Sequence, residues 1–385
     1  MAESATVAYI EPSVLRWARE SAGYTTRGAA DAIGVNKWYL EMVEAGNEWL
    51  SLDGAEKAAE VFRRPLAALF VPAPPEEEPQ EVQFHRLPGT PAPPWGPEVQ
   101  LTARRVTERR EIALEIDKTL EDTPPWPKAA QRFVNVPRDS LPSVARDALG
   151  VSREDQQERW PKDDFAPFRA WRAAVEKLGI LVTQQGSVPV EKMRGFASIE
   201  PTAIPAILVN SKDDPRARAF TVLHELGHVI LAARGEQVGQ QTERWCESFA
   251  GRVLMPGAWL RDEWDVSIAD NSLGRVRDIA RAFRVTPRAA AVRASHVGVL
   301  PRKEAGVLIG HMQSRWQERE EEEQQTGGNY HVNQINKFGP GYLKLVFAAL
   351  DNQAVTLPTA SALLEGVEGV KVKRFERLRN ELEGR

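Results

Sequence analysis

The sequence has few of the features that mark secreted, membrane-spanning or strongly basic proteins. Its 385 residues include one cysteine, Cys246, which excludes an internal disulfide and favours a reducing compartment. No apolar run reaches the roughly 18 residues that a membrane span needs, and the N-terminus has no signal-peptide core. The formal net charge of −4 provides no overall basic surface, so any nucleic-acid contact needs a local patch. We therefore expect a cytoplasmic protein with no membrane partner.

Proline is concentrated in one place. Residues 72–97, PAPPEEEPQEVQFHRLPGTPAPPWGP, include nine prolines among 26 residues and predict an extended linker, because proline fixes φ and removes a backbone donor. This linker would separate a head, residues 1–71, from a larger region, 98–317. A charged run closed by glycine, EREEEEQQTGGN, marks a second boundary. After it, residues 318–385 are expected to form a helical C-terminal region.

The larger region is expected to be mainly α with a small β-sheet, an α+β fold. Three β-type runs predict a short three-stranded sheet: 180–184, 195–199 and 206–211. Hydrophobic periodicity predicts these helices: 98–121, 139–149, 166–178, 216–233, 242–254, 272–283 and 287–296.

The stretch FTVLHELGHVILAARG places three polar residues within an apolar helix. His224 and His228 are four residues apart, so on a helix both imidazoles project from one face and can bind one Zn²⁺. Glu225 projects beside them and can reach a water molecule at that ion. Burying these three side chains is costly unless a metal and hydrogen bonds satisfy them.

The next predicted helix offers a third ligand. Glu243, in TERWCESFAGRVLMP, lies 15 residues after His228, which leaves room for a turn and a returning helix. A catalytic zinc ion takes three protein ligands and keeps one position for water. Glu247, one turn further, is expected to accept the other ring N–H of a liganding histidine. Cys246 is expected to be a small buried apolar residue.

These residues predict zinc-dependent peptide hydrolysis. Zinc would activate water and polarise the scissile carbonyl, and Glu225 would act as general base and return the proton to the leaving amine. The HExxH pattern also occurs in proteins that bind no metal, but helical placement and the spacing of the downstream glutamates favour zinc. His296, His311 and Tyr330 are candidates for stabilising an oxyanion, although surface or core roles are the simpler interpretation of the two histidines.

The sequence of the head predicts five short helices: Pro12–Ala22, Arg27–Ile33, Lys37–Ala45, Asp53–Phe62 and Pro65–Phe70. The second and third flank a short turn with Gly34 and a capping Asn36, which is a helix-turn-helix pattern. The head resembles the lambda-repressor-like (Xre-type) DNA-binding family over the whole length of SVLRWARESAGYTTRGAADAIGVNKWYLEMVEAGNEWLSLDGAEKAAEVFRRPLAALF, most clearly in AADAIGV and EAG.

That resemblance implies operator DNA as a partner, with contacts from Arg27, Asn36, Lys37, Trp38 and Tyr39. However, residues 1–75 carry seven Lys/Arg against ten Asp/Glu, a charge of −3, which is a poor surface for phosphates. Thr26 also stands where the family usually has glutamine. The alternative is a retained fold that serves as a protein-docking module or forms a homodimer.

As a whole, the chain resembles Xre-family regulators fused to an ImmA/IrrE-type metallo-endopeptidase domain. The resemblance covers most of the chain and is most specific in VNSKDDPRARAFTVLHELGHVIL and ESFAGRVLMP. It also includes VPVEKMRGFAS and, less specifically, FHRLPG and GGNY. One departure is the pair Cys246-Glu247, where the family commonly has Ala-Asn or Ala-Asp, so the acid beyond the ligands is one methylene longer.

The resemblance implies a zincin-like fold for the larger region. It implies His224, His228 and Glu243 as ligands of one Zn²⁺, Glu225 as the base, and helix-turn-helix repressors as protein substrates. In the family, cleavage of such a repressor derepresses genes of the DNA-damage response or of mobile elements.

Residues 272–300 are the most basic stretch, with six arginines: Arg275, Arg277, Arg281, Arg284, Arg288 and Arg293. The resemblance implies that this segment packs beside the peptidase core, which we favour. The alternative is a second surface for nucleic acid or for a repressor.

The leading hypothesis is a zinc-dependent endopeptidase that acts on a repressor-type protein and uses its head for DNA or protein docking. The alternative is a non-catalytic transcriptional regulator or antitoxin-like binding protein that keeps the zincin fold as a sensor or scaffold.

Overall fold

The structure, a computed structural model of the chain, describes residues 6–76, 82–85, 96–199, 204–236, 240–320, 330–365 and 372–383. The chain divides into two compact units. The smaller comprises Met1–Gln80 and Gly89–Arg105, and the larger comprises Glu81–Pro88 and Val106–Arg385. Within the described ranges, no helix is both long and apolar enough to cross a membrane. The domain boundaries expected near residues 71, 97 and 317 stay predictions.

Residues 6–76 of the smaller unit form helices and one two-stranded ribbon. The elements are β1 (Val7–Ala8), α1 (Pro12–Ser21), α2 (Thr26–Ile33), α3 (Lys37–Glu44), β2 (Leu50–Ser51), α4 (Leu52–Phe62) and a 3₁₀ helix (Leu66–Phe70). Polar side-chain caps start α2, α3 and α4. Asn36 accepts a hydrogen bond from the Trp38 backbone N–H at 2.8 Å, as the sequence predicts. The five predicted helices are confirmed, the fifth as a 3₁₀ helix. The antiparallel pairing of β1 with β2 was not predicted.

The described part of the larger unit contains a four-stranded sheet. Its strands are β3 (Val82–His85), β4 (Leu181–Gln185), β5 (Gly195–Ser198) and β6 (Ala206–Asn210). They lie in the order β3-β5-β6-β4; β4 and β6 are parallel, and the other two pairs are antiparallel. The three predicted strands are confirmed. β3 is an addition from the segment interpreted as a linker, where the surrounding prolines obscure the four-residue run VQFH.

Helices account for most of the remaining chain. Before the motif helix they are α5 (Pro97–Thr119), α6 (Pro125–Val134), α7 (Leu141–Leu149) and α8 (Ala166–Glu176). After β6 come α9 (Pro215–Ala233), α10 (Gln240–Leu254), α11 (Gly257–Val266), α12 (Ser272–Ala282), α13 (Pro287–Val297) and α14 (Arg302–Glu320). The C-terminal helices are α15 (Tyr330–Phe338), α16 (Pro340–Asp351), α17 (Leu357–Glu365) and α18 (Val372–Glu383). The predicted helices and the mainly α, α+β fold class are confirmed; α6, α11 and α14 were not predicted.

One apolar core joins the sheet to the helices around it. α9 packs against β5, β6, α8 and α10, and its central residues are buried on every side, which explains why its sequence is apolar all round. Val276, Ile279 and Ala291 of the basic stretch are buried in the same core. This confirms the expectation that residues 272–300 pack beside that core.

The C-terminal helices pack against β4 through a close backbone approach. Gly339 has φ of +84°, and a Cβ at this position would lie 2.3 Å from the Val182 carbonyl oxygen, so only glycine satisfies both the backbone angle and the space. Two residues later, the Gly341 N–H donates to the Glu176 carboxylate at 3.1 Å. Glu176 therefore links the end of α8 to the start of α16.

This link predicts a pH-dependent stability. Burial raises the pKa of Glu176 from 4.5 to about 7, against the opposing effect of Arg172. The folded state holds this proton more tightly than the unfolded chain, so the free energy of unfolding should fall as the pH rises from about 4.5 to about 7. We expect Glu176→Gln to remove about 1–3 kcal/mol of that pH dependence, measured by urea unfolding on both sides of this interval. Exposed Glu158→Gln is the control, and an unchanged pH dependence in Glu176→Gln would contradict the assignment.

Candidate metal centre

The helix that carries the HExxH motif, α9, has a well-capped N-terminus. Asp214 accepts hydrogen bonds from the backbone N–H groups of Arg216 at 2.7 Å and Ala217 at 3.3 Å, and Pro215 occupies the first helical position, a combination that favours helix initiation. Further along α9, His224 and His228 are buried one turn apart. A buried, well-capped helix holds such a pair rigidly.

The structure brings His224, His228 and Glu243 together. The Nε2 atoms of the two histidines are 3.1 Å apart, and each lies 3.3 Å from a different carboxylate oxygen of Glu243. Ligand atoms about 2.0–2.1 Å from a tetrahedral zinc ion are about 3.3 Å from one another, so the donor set fits zinc. Among the described residues, this is the one group of three or more His, Cys, Asp or Glu whose ligand atoms all lie within 4.8 Å of one another.

The charge states of this group also suit a metal. Burial lowers the pKa of His224 to about 4, so its imidazole is neutral at physiological pH. Burial by itself raises the pKa of Glu243, but the hydrogen bonds with His224 and His228 outweigh it and hold the pKa well below its usual range. A neutral imidazole and an ionised carboxylate are the forms that ligate cations.

Glu225 lies beside the group as an unsatisfied buried acid. Neither of its carboxylate oxygens has a hydrogen-bond partner among the described residues. Burial, reinforced by the charge of Glu243, raises the pKa of Glu225 well above its usual value. A Cβ on Gly195 would lie 3.5 Å from the Glu225 Oε1, so the start of β5 lies against this carboxylate. A costly unsatisfied group in such surroundings is typical of a functional residue.

Gly227 sets the approach of the two helices that carry the group. A Cβ at Gly227 would lie 3.0 Å from the Cys246 Sγ and 3.2 Å from a ring carbon of Phe249. α10 therefore packs against the bare backbone of α9, and this brings Glu243 within reach of the histidines. Cys246 is buried as predicted, and burial raises the pKa of its thiol, so it is a small packing residue.

This packing predicts that Gly227→Val weakens both stability and zinc binding. The added methyl groups meet Cys246 and Phe249, and such overpacking costs about 1–3 kcal/mol. Moving α10 outward also carries Glu243 away from the histidines. Urea unfolding and zinc competition with a chromophoric chelator measure the two effects. Gly251→Val is the matched control on α10, since a Cβ there meets only Arg293 at 3.7 Å; zinc affinity equal to that of the control would refute the packing argument.

The other residues predicted to act at the site lie in different places in the structure. Glu247 is exposed and lines a pocket next to the group. The Nδ1 of His228 has no hydrogen-bond partner among the described residues, so Glu247 does not accept its N–H, and an orienting role for Glu247 stays a prediction. His296 is exposed and lines the same pocket, whereas His311 is exposed on α14. The side chain of Tyr330 lies outside the described residues.

The residues predicted to contact DNA lie on α2 and α3 of the smaller unit. Four of the five already have partners within that unit: Arg27 with Asp31, Asn36 with the Trp38 N–H, Lys37 with Glu41, and the Tyr39 hydroxyl with the Trp49 carbonyl. The side chain of Trp38 is 62% exposed. DNA binding by these residues stays a prediction.

A family model matches the part of the chain that holds the metal group. Residues 175–295 match Peptidase_M78, described as the IrrE N-terminal-like domain. The matched segment covers less than half of the chain and contains β4 to β6 and both helices that carry the group. No curated protein matches the sequence. The match supports the ImmA/IrrE-type protease part of the sequence interpretation and a metallopeptidase-type function at the family level.

Proposed function

We propose that the chain is a zinc-dependent endopeptidase that cleaves a repressor-type regulatory protein. One observation carries the proposal: His224, His228 and Glu243 converge at tetrahedral ligand spacing beside the buried Glu225. The family match of residues 175–295 supports the reaction class. The repressor as substrate rests on the sequence resemblance of the whole chain.

The roles of the residues follow from their chemistry. His224, His228 and Glu243 would hold one Zn²⁺, which, when bound, supplies Lewis-acid activation of water and of the scissile carbonyl. Glu225 accepts a proton from the attacking water and delivers it to the leaving amine. His224 stays neutral throughout, since burial keeps its pKa low.

The head then serves to dock a partner, and its surface favours a protein over operator DNA. The two cations among the predicted DNA contacts pair with acids one turn away: Lys37 with Glu41 at 3.2 Å and Arg27 with Asp31 at 4.0 Å. Aromatic side chains are exposed instead, with Trp38 on α3 and the edge-to-face pair of Tyr9 and Trp49. Exposed aromatic residues are enriched at protein interfaces, whereas phosphates need unpaired cations. A salt-dependent shift of promoter DNA by the full-length chain would favour DNA.

The test of the enzymatic proposal uses the zinc-loaded, full-length protein. It is incubated with the repressors encoded beside its gene, and the products are identified by intact-mass spectrometry. We expect two fragments of one repressor, and none after the metal is removed by a chelator. Repressors that stay intact while zinc is bound would contradict the peptidase proposal and favour the sensor or scaffold alternative.

A further inference from the structure

A pocket of about 240 Å³ opens beside the metal group. We call it the arginine pocket, because four of its lining residues are arginines: Arg194, Arg244, Arg288 and Arg293. Glu247 is the one acidic residue that lines it, and Phe220 and Val292 contribute apolar surface. A water molecule occupies about 30 Å³ of liquid, so the pocket has room for one side chain rather than for a folded domain.

Three elements connect this pocket to the reacting groups. On α10, Glu247 follows Glu243 by one turn, and on α9, Phe220 precedes His224 by one turn, with ring centroids 6.4 Å apart. On the sheet side, Arg194 directly precedes the residue that lies against the Glu225 carboxylate. Three walls of the pocket are therefore continuous with elements of the proposed active site, and α13, which carries Arg288, forms the remaining wall.

The separation between the metal group and the pocket residues one helical turn away corresponds to a short distance along a peptide. Four helical residues advance about 6 Å, and an extended peptide advances about 3.3 Å per residue. A substrate whose scissile bond lies at the metal group therefore places a side chain in the arginine pocket about one or two residues away.

The charges in the pocket are not balanced by the protein. Arg194 is paired with Asp213 at 3.2 Å, and the Arg293 Nε donates to the Met255 carbonyl at 2.9 Å. Arg244 and Arg288 form no ion pair among the described residues, and Glu247 is a single counter-charge. The side chain of Arg288 is exposed and lines the pocket. Desolvation and then the charge of Arg194 lower its pKa, and the opposing effect of Glu247 is smaller, so repulsion from Arg194 outweighs attraction to Glu247. An anion bound there would relieve that repulsion.

We propose that the arginine pocket receives an aspartate or glutamate side chain of the substrate, within two residues of the scissile bond, and that Arg288 is the main determinant of this specificity. The inference rests on the proposed peptidase function and deepens it by naming a feature of the substrate. Guanidinium groups bind carboxylates through charge-assisted hydrogen bonds, and the apolar surface of Phe220 and Val292 accommodates the methylene groups of the side chain. The basic stretch thus has a second role besides packing on the core.

The cleavage arm of the test uses the zinc-loaded full-length protein and a random library of acetylated, amidated decapeptides. Cut sites are mapped by mass spectrometry. We expect acidic residues to be enriched about ten-fold at one position within two residues of the cut. Arg288→Gln should reduce the enrichment to less than about two-fold. Arg277→Gln is the matched control, since this arginine is exposed on α12 outside the pocket, and it should keep the wild-type preference.

A binding arm separates this inference from the peptidase proposal. Fluorescein-labelled library pools with a fixed glutamate or a fixed glutamine are titrated against the zinc-loaded Glu225→Gln protein by fluorescence anisotropy. Tighter binding of the glutamate pool supports the pocket if it is lost in the Glu225→Gln/Arg288→Gln double variant and weakened by salt. This holds even if the wild type cuts no peptide, and in that case only the peptidase proposal fails. Cleavage without acidic preference retains the peptidase and overturns the pocket. If a glutamine pool with a free C-terminal carboxylate binds as tightly as the amidated glutamate pool, the assignment to an internal side chain is overturned.

Discussion

Replacing Glu225 with glutamine is expected to lower kcat for peptide hydrolysis by about 10²–10⁴-fold, the usual contribution of a positioned general base. The amide keeps the size and shape of the carboxylate but cannot accept a proton at neutral pH. The ligands His224, His228 and Glu243 are unchanged, so zinc should remain bound at one ion per chain. The rate of cleavage of the repressor substrate gives kcat, and inductively coupled plasma mass spectrometry gives the zinc content of the same samples.

The stability of the same variant provides an internal control. Neither oxygen of Glu225 has a partner among the described residues, so ionising this group in the folded protein is costly. The neutral amide removes that cost, and without zinc Glu225→Gln should be at least as stable as the wild type. If the variant loses activity but keeps both its zinc and its stability, Glu225 has a chemical role. A zinc-loaded variant that cuts at the wild-type rate excludes Glu225 as the base.

The elements that carry the metal group were predictable because their signals are local. The motif helix was predicted at 216–233 and is observed at Pro215–Ala233; its beginning follows from the cap at Asp214, and its apolar centre from burial on all sides. The spacing of His224 and His228 needs only helix geometry. Glu243 was predicted from a second helix at a plausible return distance. That the three donors meet is an observation of the structure.

Other elements were missed for identifiable reasons. The sequence analysis predicts no helix between 121 and 139, where DTPPWP is rich in proline. Pro125 is nevertheless the first residue of α6, a position where proline is favoured because its missing N–H has no helical partner anyway. β3 has only four residues, and its pairing with β5 depends on residues more than a hundred positions away. No local pattern encodes such a partner.

Distances between elements also lay beyond sequence reasoning. The sequence contains Gly227 and Cys246, but nothing in their spacing shows that one helix backbone packs against the thiol of the other. Similarly, Arg288 belongs to a recognisable basic stretch, whereas Arg194 comes from the residues before β5. Their convergence beside the metal group depends on the packing of α13, α10 and the sheet.

Replacing Glu243 with glutamine is expected to weaken zinc binding by more than about 100-fold, because even residues that only orient a ligand contribute 10–100-fold. Competition with a chelator measures the affinity, and thermal unfolding with added zinc reports the same loss. Zinc at a hundred times its Kd stabilises the wild type by about 2.7 kcal/mol, and the variant should show none of this at equal zinc. Glu304→Gln, at an exposed position on α14, is the control. Glu247→Gln tests the orienting role predicted for Glu247. A 10–100-fold loss of zinc affinity supports that role, and wild-type affinity excludes it. Wild-type affinity in Glu243→Gln would mean that another donor completes the site and that the proposed ligand set is wrong.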